Sequence, residues 1–110
     1  MDGDTSISLS LVIPAYNEVA GIGQAVREAD DALGQLGLPY EILIVDDGSR
    51  DGTAQAVRDA GRDRPCVQLV RHLVNRGYGR ALRTGFQAAR GERVAFTDAD
   101  CQFHLADLSR

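Results

Sequence analysis

Two carboxylates near the C-terminus have the spacing that most directly suggests chemistry. Asp98 and Asp100 are separated by one residue and follow a short apolar run. Side chains two positions apart on an extended backbone point to the same side, so both carboxylates could meet one cation. Two close carboxylates repel each other unless a cation or a shared proton intervenes. Such oxygen ligands favour Mg²⁺ or Mn²⁺, and a solvated acidic turn is the alternative.

A second acidic pair, Asp46 and Asp47, follows the apolar run 42–45 and precedes Gly48. One of these carboxylates could cap the next helix. The other could accept hydrogen bonds from a ribose hydroxyl or from the NH groups of a base. Gly48 would allow a ligand to approach the backbone, or would simply form a tight turn.

The segment 14–18, Pro-Ala-Tyr-Asn-Glu, links the first apolar run to the first helical pattern. Tyr16 could stack on a base, and Glu18 could bind the polar edge of that base. The alternative is a loop aromatic residue and a first-turn glutamate that the helix dipole favours. These alternatives stay open when the segment is considered alone.

Apolar runs alternate with amphipathic patterns along the chain, and Pro14 is predicted to end the first strand. In the first helix Ile22, Ala25, Val26, Ala29, Leu33 and Leu36 recur at three- and four-residue steps. The predicted strands are 7–13, 41–45, 66–70 and 92–97, and the later helices run from Ser49 or Asp51 to about residue 60 and over 79–90, the last with Leu82, Phe86 and Ala89 on one face. This order predicts an α/β fold with a mostly parallel sheet and helices on both faces.

In such sheets ligands bind outside the carboxyl ends of the strands. Segments 14–18, 46–49 and 98–100 all fall at predicted strand ends. Arg76, Arg80 and Arg83 follow the third strand and could offset the charge of a diphosphate, with a solvated helix face as the alternative. His72 and His104 have no recognisable catalytic partner and are predicted to be structural or surface residues.

Composition narrows the function classes. A net charge of -4 and a pI near 5.0 argue against a nucleic-acid partner. The chain has 12 arginines and no lysine, which excludes Schiff-base catalysis and a lysine-dependent phosphate loop. The 110 residues fit a single domain, 1–110. The acidic N-terminus does not read as a signal peptide, and the predicted location is cytoplasmic.

Four motifs occur in the order and spacing of a known family, and the likeness extends from about Ile7 to the end of the chain. They are VIPAYNE at 12–18, EILIVDDGSRDGT at 41–53, NRGYGRALRTG at 75–85 and TDADCQ at 97–102. With these motifs the chain resembles glycosyltransferase family 2, in its dolichol-phosphate mannosyltransferase-like and polyprenyl-phosphate branch. The resemblance implies a GT-A fold and a glycosyltransferase that uses a GDP- or UDP-sugar.

The resemblance also implies roles for individual residues. The implied nucleotide contacts are Pro14, Tyr16, Glu18, Val45 and Asp47. Asp98 and Ala99 would be donor contacts, while Asp98, Asp100 and Gln102 would bind Mg²⁺ or Mn²⁺. The implied acceptor is a polyprenyl or dolichyl phosphate, an anionic nucleophile that needs little help from a general base.

Two departures from the family pattern are Cys101 and His104, where a small or aliphatic residue and an acidic residue are expected. Family members also continue for at least as many residues beyond the equivalent of Arg110. We therefore expect the chain to be the N-terminal part of a longer catalytic domain, unable to catalyse transfer alone. A homodimer could cover the apolar surface left exposed. The full-length protein could associate with the cytoplasmic face of a membrane.

Three other readings compete with this one. A receiver-type phosphoacceptor domain shares the length and the α/β alternation, but it needs a lysine and an acidic pair after the first strand. A nucleotidyltransferase would carry a glycine-rich basic loop where this chain has residues 14–18. A non-catalytic nucleotide-sugar-binding module is compatible with every residue present.

Overall fold

The computed structural model describes residues 6–99, which form a four-stranded sheet and three helices. The elements are β1 Leu9–Ala15, α1 Ile22–Gly34, β2 Tyr40–Asp47, α2 Thr53–Ala60, β3 Val67–His72, α3 Tyr78–Ala88 and β4 Arg93–Phe96. Within these residues every strand pair is parallel, and the strand order is β3-β2-β1-β4. The predicted α/β fold is therefore confirmed.

The two central strands are covered on both faces because their side chains alternate between two apolar clusters. Leu11, Ile13 and Ile44 pack with the buried faces of α1 and α2. Val12 and Leu43, from alternate positions, pack against α3 on the opposite face. Such continuous apolar runs are expected for parallel strands buried on both sides. This arrangement confirms helices on both faces.

Pro14 does not end β1, contrary to the sequence prediction, because the strand continues to Ala15 with Pro14 opposite Val45. The carbonyl of Val12 accepts a hydrogen bond from the Thr97 amide, so Val12 directs its backbone groups towards β4. Pro14, two residues later, faces the same side, where β4 has already ended at Phe96. No ladder hydrogen bond is lost there, and proline is tolerated.

The predicted apolar face of α1 is confirmed except at its end. Ile22, Ala25, Val26, Ala29 and Leu33 are buried. Leu36 lies beyond the helix and is 42% exposed, because α1 ends at Gly34. Gly37 then adopts a left-handed backbone with φ of 71°, which turns the chain towards β2.

The predicted packing face of α3 is confirmed for Leu82 and Ala89, which pack against the core, but not for Phe86. Ala81 and Gly85 are its buried positions, while Phe86 remains 42% exposed. A Cβ added to Gly85 would lie 2.3 Å from Cγ1 of Val12 in β1. At Gly85 the helix therefore approaches the sheet more closely than a residue with a side chain would allow.

The C-terminal end of α3 is fixed by a buried carboxylate at the start of β2. Oε2 of Glu41 accepts hydrogen bonds from Ser10 Oγ at 2.6 Å and from the Arg90 amide at 2.7 Å. The Arg90 guanidinium donates to Oε1 at 3.2 and 3.3 Å. Burial raises the pKa of Glu41, but these hydrogen bonds together outweigh it and hold the pKa below its ordinary value.

None of the helices within residues 6–99 combines the length and the apolar character needed to cross a bilayer.

We predict that Gly85→Ala destabilises the chain, although alanine normally favours a helix. The added methyl group would overlap Val12, and overpacking of this kind costs about 1–3 kcal/mol. Gly79→Ala in the same helix is the matched control, because its Cβ would meet no atom within 4 Å. Because alanine has less backbone entropy than glycine in the unfolded chain, Gly79→Ala should raise the free energy of unfolding by about 0.5–1 kcal/mol. Urea unfolding measures both, and equal stabilisation by the two substitutions would contradict the packing.

Candidate functional site at the carboxyl ends of the strands

A cavity of about 490 Å³ opens where β1, β2 and α3 meet. It lies at the carboxyl ends of β1 and β2, where parallel α/β sheets bind ligands. Its lining consists of Pro14, Ala15, Tyr16, Glu18, Asp47, Asn75, Gly77, Tyr78, Ala81, Asp98 and Ala99. Three motifs that are distant in the sequence, together with the start of α3, therefore meet around one space.

The loop after β1 is held from behind by the loop after β2. Asn17 has a left-handed φ of 53°, its amide donates to Ser49 Oγ at 2.8 Å, and its Oδ1 accepts from the Arg50 amide at 2.9 Å. The Glu18 amide donates to Thr53 Oγ1 at 2.8 Å. These bonds leave the 43% exposed ring of Tyr16 and the side chain of Glu18 on the cavity wall.

The sequence left two candidates, Ser49 and Asp51, for capping the start of α2. Oδ1 of Asp51 accepts a hydrogen bond from the Thr53 amide at 2.9 Å. Ser49 makes no such bond, because its hydroxyl is used by Asn17. The N-cap position itself is Gly52, and of the two candidates only Asp51 satisfies an amide of the first turn, so neither strand-end aspartate is needed there.

The carboxylate of Asp47 has three hydrogen-bonding partners at this edge of the sheet. Its Oδ1 lies 2.8 Å from Nδ1 of His72 and accepts from the Arg76 amide at 2.9 Å. Its Oδ2 accepts from the Gly77 amide at 2.9 Å, and the residue is 3% exposed. Burial raises the pKa of Asp47, but the bonds from His72, Arg76 and Gly77 outweigh it and hold the pKa below its ordinary value.

His72 was predicted to be a structural or surface residue, and it is a buried residue that connects β3 to Asp47 and to α3. It is 8% exposed, and its Nε2 lies 2.8 Å from Thr84 Oγ1 on α3. The β2–β3 register places His72 directly opposite Asp47. Sequence reasoning missed this contact because both residues lie at or beyond the predicted strand ends. Extending the two predicted strands by two residues would have revealed the pair.

Asp46 serves the structure rather than the cavity. It is fully buried, its Oδ1 accepts from the Ser49 amide at 3.1 Å, and its Oδ2 accepts from Arg71 Nε at 3.2 Å. Of the acidic pair, only Asp47 lines the cavity.

Asp98 lies on the exposed side of the cavity, where the Tyr78 hydroxyl donates to its Oδ1 at 3.3 Å. Burial, followed by the charge and the hydrogen bond of Asp98, raises the pKa of Tyr78. The phenol therefore stays protonated and keeps donating at neutral pH. Asp100 and Gln102 lie outside the described residues. Within 6–99 no group of three or more His, Cys, Asp or Glu side chains is arranged to hold a metal.

The structure brings six of the seven predicted donor-site residues around the cavity, and Val45 is the exception. Its side chain is fully buried with Val12, Leu43 and Ala81 in the core under α3. Ala99, by contrast, lines the cavity beside Asp98.

The three arginines predicted to face a diphosphate lie elsewhere. Arg76, Arg80 and Arg83 line a second concave surface with Arg71 and His72. None of them lines the first cavity, because that side of α3 presents Tyr78 and Ala81 instead. The prediction that these guanidinium groups meet the same ligand as Asp98 is therefore not supported by the geometry.

The fold and the cavity define an α/β domain with a concave site at the carboxyl ends of its parallel strands, as inferred from the sequence. The family model of glycosyl transferase family 2 matches residues 10–110. The chain therefore belongs to glycosyl transferase family 2. This membership confirms the resemblance drawn from the four motifs and rejects the receiver-domain alternative.

Similar curated proteins carry the name undecaprenyl-phosphate 4-deoxy-4-formamido-L-arabinose transferase. That of Pseudomonas fluorescens (strain SBW25) is 42% identical over 104 residues, covering 93% of this chain and 30% of the relative. That of Aeromonas hydrophila subsp. hydrophila is 41% identical over 110 residues, covering 97% of this chain and 33% of the relative. The chain thus spans about a third of the length of the curated relatives it matches.

Solved structures agree with the fold. A mannosyltransferase from Pyrobaculum calidifontis, in complex with GDP-Man and Mn²⁺, matches with a TM-score of 0.73 and 33% identity. This match covers 86% of the chain and 28% of that protein. Glucosyl-3-phosphoglycerate synthase from Mycobacterium tuberculosis, in complex with UDP, matches with a TM-score of 0.68 and 31% identity over 86% of the chain and 34% of that protein.

We predict that Asp47→Asn lowers the free energy of unfolding by about 2–4 kcal/mol, because the new amide nitrogen would face N–H donors. The effect should depend on pH. Since the folded-state pKa of Asp47 is lowered, its contribution is complete above the unfolded pKa and is lost as the pH falls through the folded one. Urea unfolding at neutral and acidic pH should therefore show a smaller acid-induced loss in the variant.

Asp63→Asn is the control for this substitution, because it removes the same charge from an exposed position. It should change stability by less than about 0.5 kcal/mol. Equal losses in the two variants, or an unchanged acid profile in Asp47→Asn, would show that the buried hydrogen bonds do not stabilise the loop.

Proposed function

We propose that the chain binds a nucleoside-diphosphate sugar in the cavity at the carboxyl ends of β1 and β2, as the donor site of a glycosyltransferase. The observation that carries this proposal is the convergence of Tyr16, Glu18, Asp47 and Asp98 around one cavity in a member of glycosyl transferase family 2. The GDP-Man and UDP complexes of similar structures support a nucleotide donor.

The base and the ribose would occupy the side of the cavity formed by β1 and β2. The ring of Tyr16 offers an aromatic face, and the carboxylate of Glu18 offers acceptors for the polar edge of a base. The carboxylate of Asp47 already accepts bonds from the loop 76–77, so its main task is to fix the cavity wall. The backbone of Gly77 then lies beside the ligand without a side chain to obstruct it.

Asp98 would meet the diphosphate through a divalent cation. Among residues 6–99 its exposed carboxylate accepts a hydrogen bond only from the Tyr78 hydroxyl, and its oxygens are ligands suited to Mg²⁺ or Mn²⁺. Asp100 and Gln102 are the further ligands that we propose from the sequence. When bound, the metal would stabilise the negative charge that develops on the departing nucleoside diphosphate. Mn²⁺ is present in complexes of similar structures.

The acceptor that we propose is a polyprenyl phosphate. The curated relatives are named as transferases of undecaprenyl phosphate. A phosphate oxygen is already anionic, so the donor side has to orient the sugar and stabilise the leaving group rather than remove a proton. The cytoplasmic location, the homodimer and the single-domain boundary 1–110 remain predictions.

The donor proposal is tested by calorimetric titration of GDP and UDP, each with and without Mn²⁺. We expect one nucleotide to bind better and to require the metal. Asp98→Ala should weaken metal-dependent binding at least about tenfold, because a carboxylate ligand of the cation is lost. Tyr16→Ala should weaken binding in the presence of Mn²⁺ without changing the requirement for the metal, because it removes an aromatic contact and no ligand of the cation.

Asp63→Ala is the matched control, since Asp63 is exposed and is not part of the cavity lining. Circular dichroism establishes that each variant is folded. If folded wild-type chain binds neither nucleotide in the presence of Mn²⁺, the proposed donor site is wrong. If it binds nucleotide but the natural protein transfers no sugar to undecaprenyl phosphate, a non-catalytic binding module is the better description.

A further inference from the structure

The positive charge of the chain is concentrated in one stretch of sequence. Residues 64–91 contain no aspartate or glutamate, although the net charge of the chain is -4. The arginines of this stretch are Arg64, Arg71, Arg76, Arg80, Arg83 and Arg90. Arg64, Arg71 and Arg90 pair with carboxylates on other elements. Among residues 6–99, no carboxylate lies within ion-pair distance of Arg76, Arg80 or Arg83.

These unpaired guanidinium groups share one concave surface. Together with Arg71 they line a depression of about 550 Å³ formed by β3 and α3. The side chain of Arg71 is 45% exposed even though its Nε bonds Asp46. We call this surface the arginine face. It is separate from the donor cavity, and His72 and Asp47 lie between the two.

An exposed apolar pair borders the arginine face. Leu73 is 97% exposed and lines the same depression, and Val74 is 60% exposed. Their loop is held close to Gly48, where an added Cβ would lie 2.4 Å from the Val74 carbonyl carbon. The Asn75 side chain also donates to the Asp47 carbonyl at 3.2 Å. The fold therefore presents Leu73 to solvent on an anchored loop.

We propose that the arginine face, with Leu73 and Val74, docks the chain onto the surface of an anionic phospholipid bilayer. Guanidinium groups bind lipid phosphates through paired hydrogen bonds, and the two apolar side chains enter the boundary between headgroups and acyl chains. A soluble phosphate ligand would account for the arginines but not for an almost fully exposed leucine among them. The combination of both features favours the bilayer.

This docking goes beyond donor binding and is measured without nucleotide. The chain is sedimented with vesicles of phosphatidylcholine alone and with vesicles that also contain phosphatidylglycerol. We expect binding only to the anionic vesicles and a decrease with added salt. Each arginine near a charged surface contributes about fivefold, so Arg76→Gln, Arg80→Gln and Arg83→Gln together should weaken partitioning about a hundredfold.

Two matched controls distinguish the effect of the arginine face from a nonspecific effect of net charge and from a nonspecific effect of exposed apolar side chains. The combination of Arg27→Gln, Arg58→Gln and Arg62→Gln makes the same charge change at exposed positions of α1, α2 and the turn after α2. It should leave most of the partitioning intact. Leu73→Ser should weaken partitioning several-fold, whereas Leu36→Ser, at a residue that is 42% exposed, should not.

Other results would overturn the proposal. Absence of binding to anionic vesicles, or equal losses in the two triple variants, would exclude a specific docking face. Partitioning that is unchanged in Leu73→Ser and abolished by inorganic pyrophosphate would identify a site for soluble phosphates instead. Titration of nucleotide against the same variants tests the donor site separately. The two proposals can therefore fail independently of each other.

Discussion

The arrangement of the site depends on one buried carboxylate, that of Asp47 at the end of β2. It receives hydrogen bonds from the amides of Arg76 and Gly77 and contacts His72 on β3. Because His72 in turn contacts Thr84 on α3, one carboxylate connects two strands, a loop and a helix. A buried charge is tolerated only where such partners replace its lost hydration. The wall of the proposed donor cavity that this loop forms therefore depends on Asp47 remaining ionised.

A second carboxylate of β2 performs the same task at the opposite end of α3. Glu41 binds Ser10 on β1 and Arg90 beyond the helix, while Gly85 lets the helix lie against Val12 between these two points. The helix is thus fixed at both ends by charge and in the middle by close packing. This rigidity gives a physical reason why Tyr78, the first residue of α3, can be held beside Asp98. Site geometry and helix packing are consequently parts of one structure.

The same helix separates two chemically different surfaces. One side, with Tyr78 and Ala81, lines the proposed donor cavity, and the other side, with Arg80 and Arg83, forms part of the arginine face. For a glycosyltransferase with a lipid-phosphate acceptor, a donor site and a bilayer-binding surface on one element would have a direct use. The arginine face would hold the domain at the membrane. The proposed donor cavity, which is lined by acidic side chains, would stay separate from the anionic lipids.

The sequence by itself determined the α/β class, the approximate positions of all seven elements and the clustering of most of the candidate site residues at one edge of the sheet. It could do so because apolar periodicity is local and because parallel strands bring their carboxyl ends to one edge. The tertiary structure decided which face of α3 is buried, that Pro14 continues β1, and that Val45 lies in the core. It also decided that His72 contacts Asp47 and that Arg76, Arg80 and Arg83 lie outside the cavity. These features depend on strand register and on the close approach at Gly85, which join residues far apart in the chain.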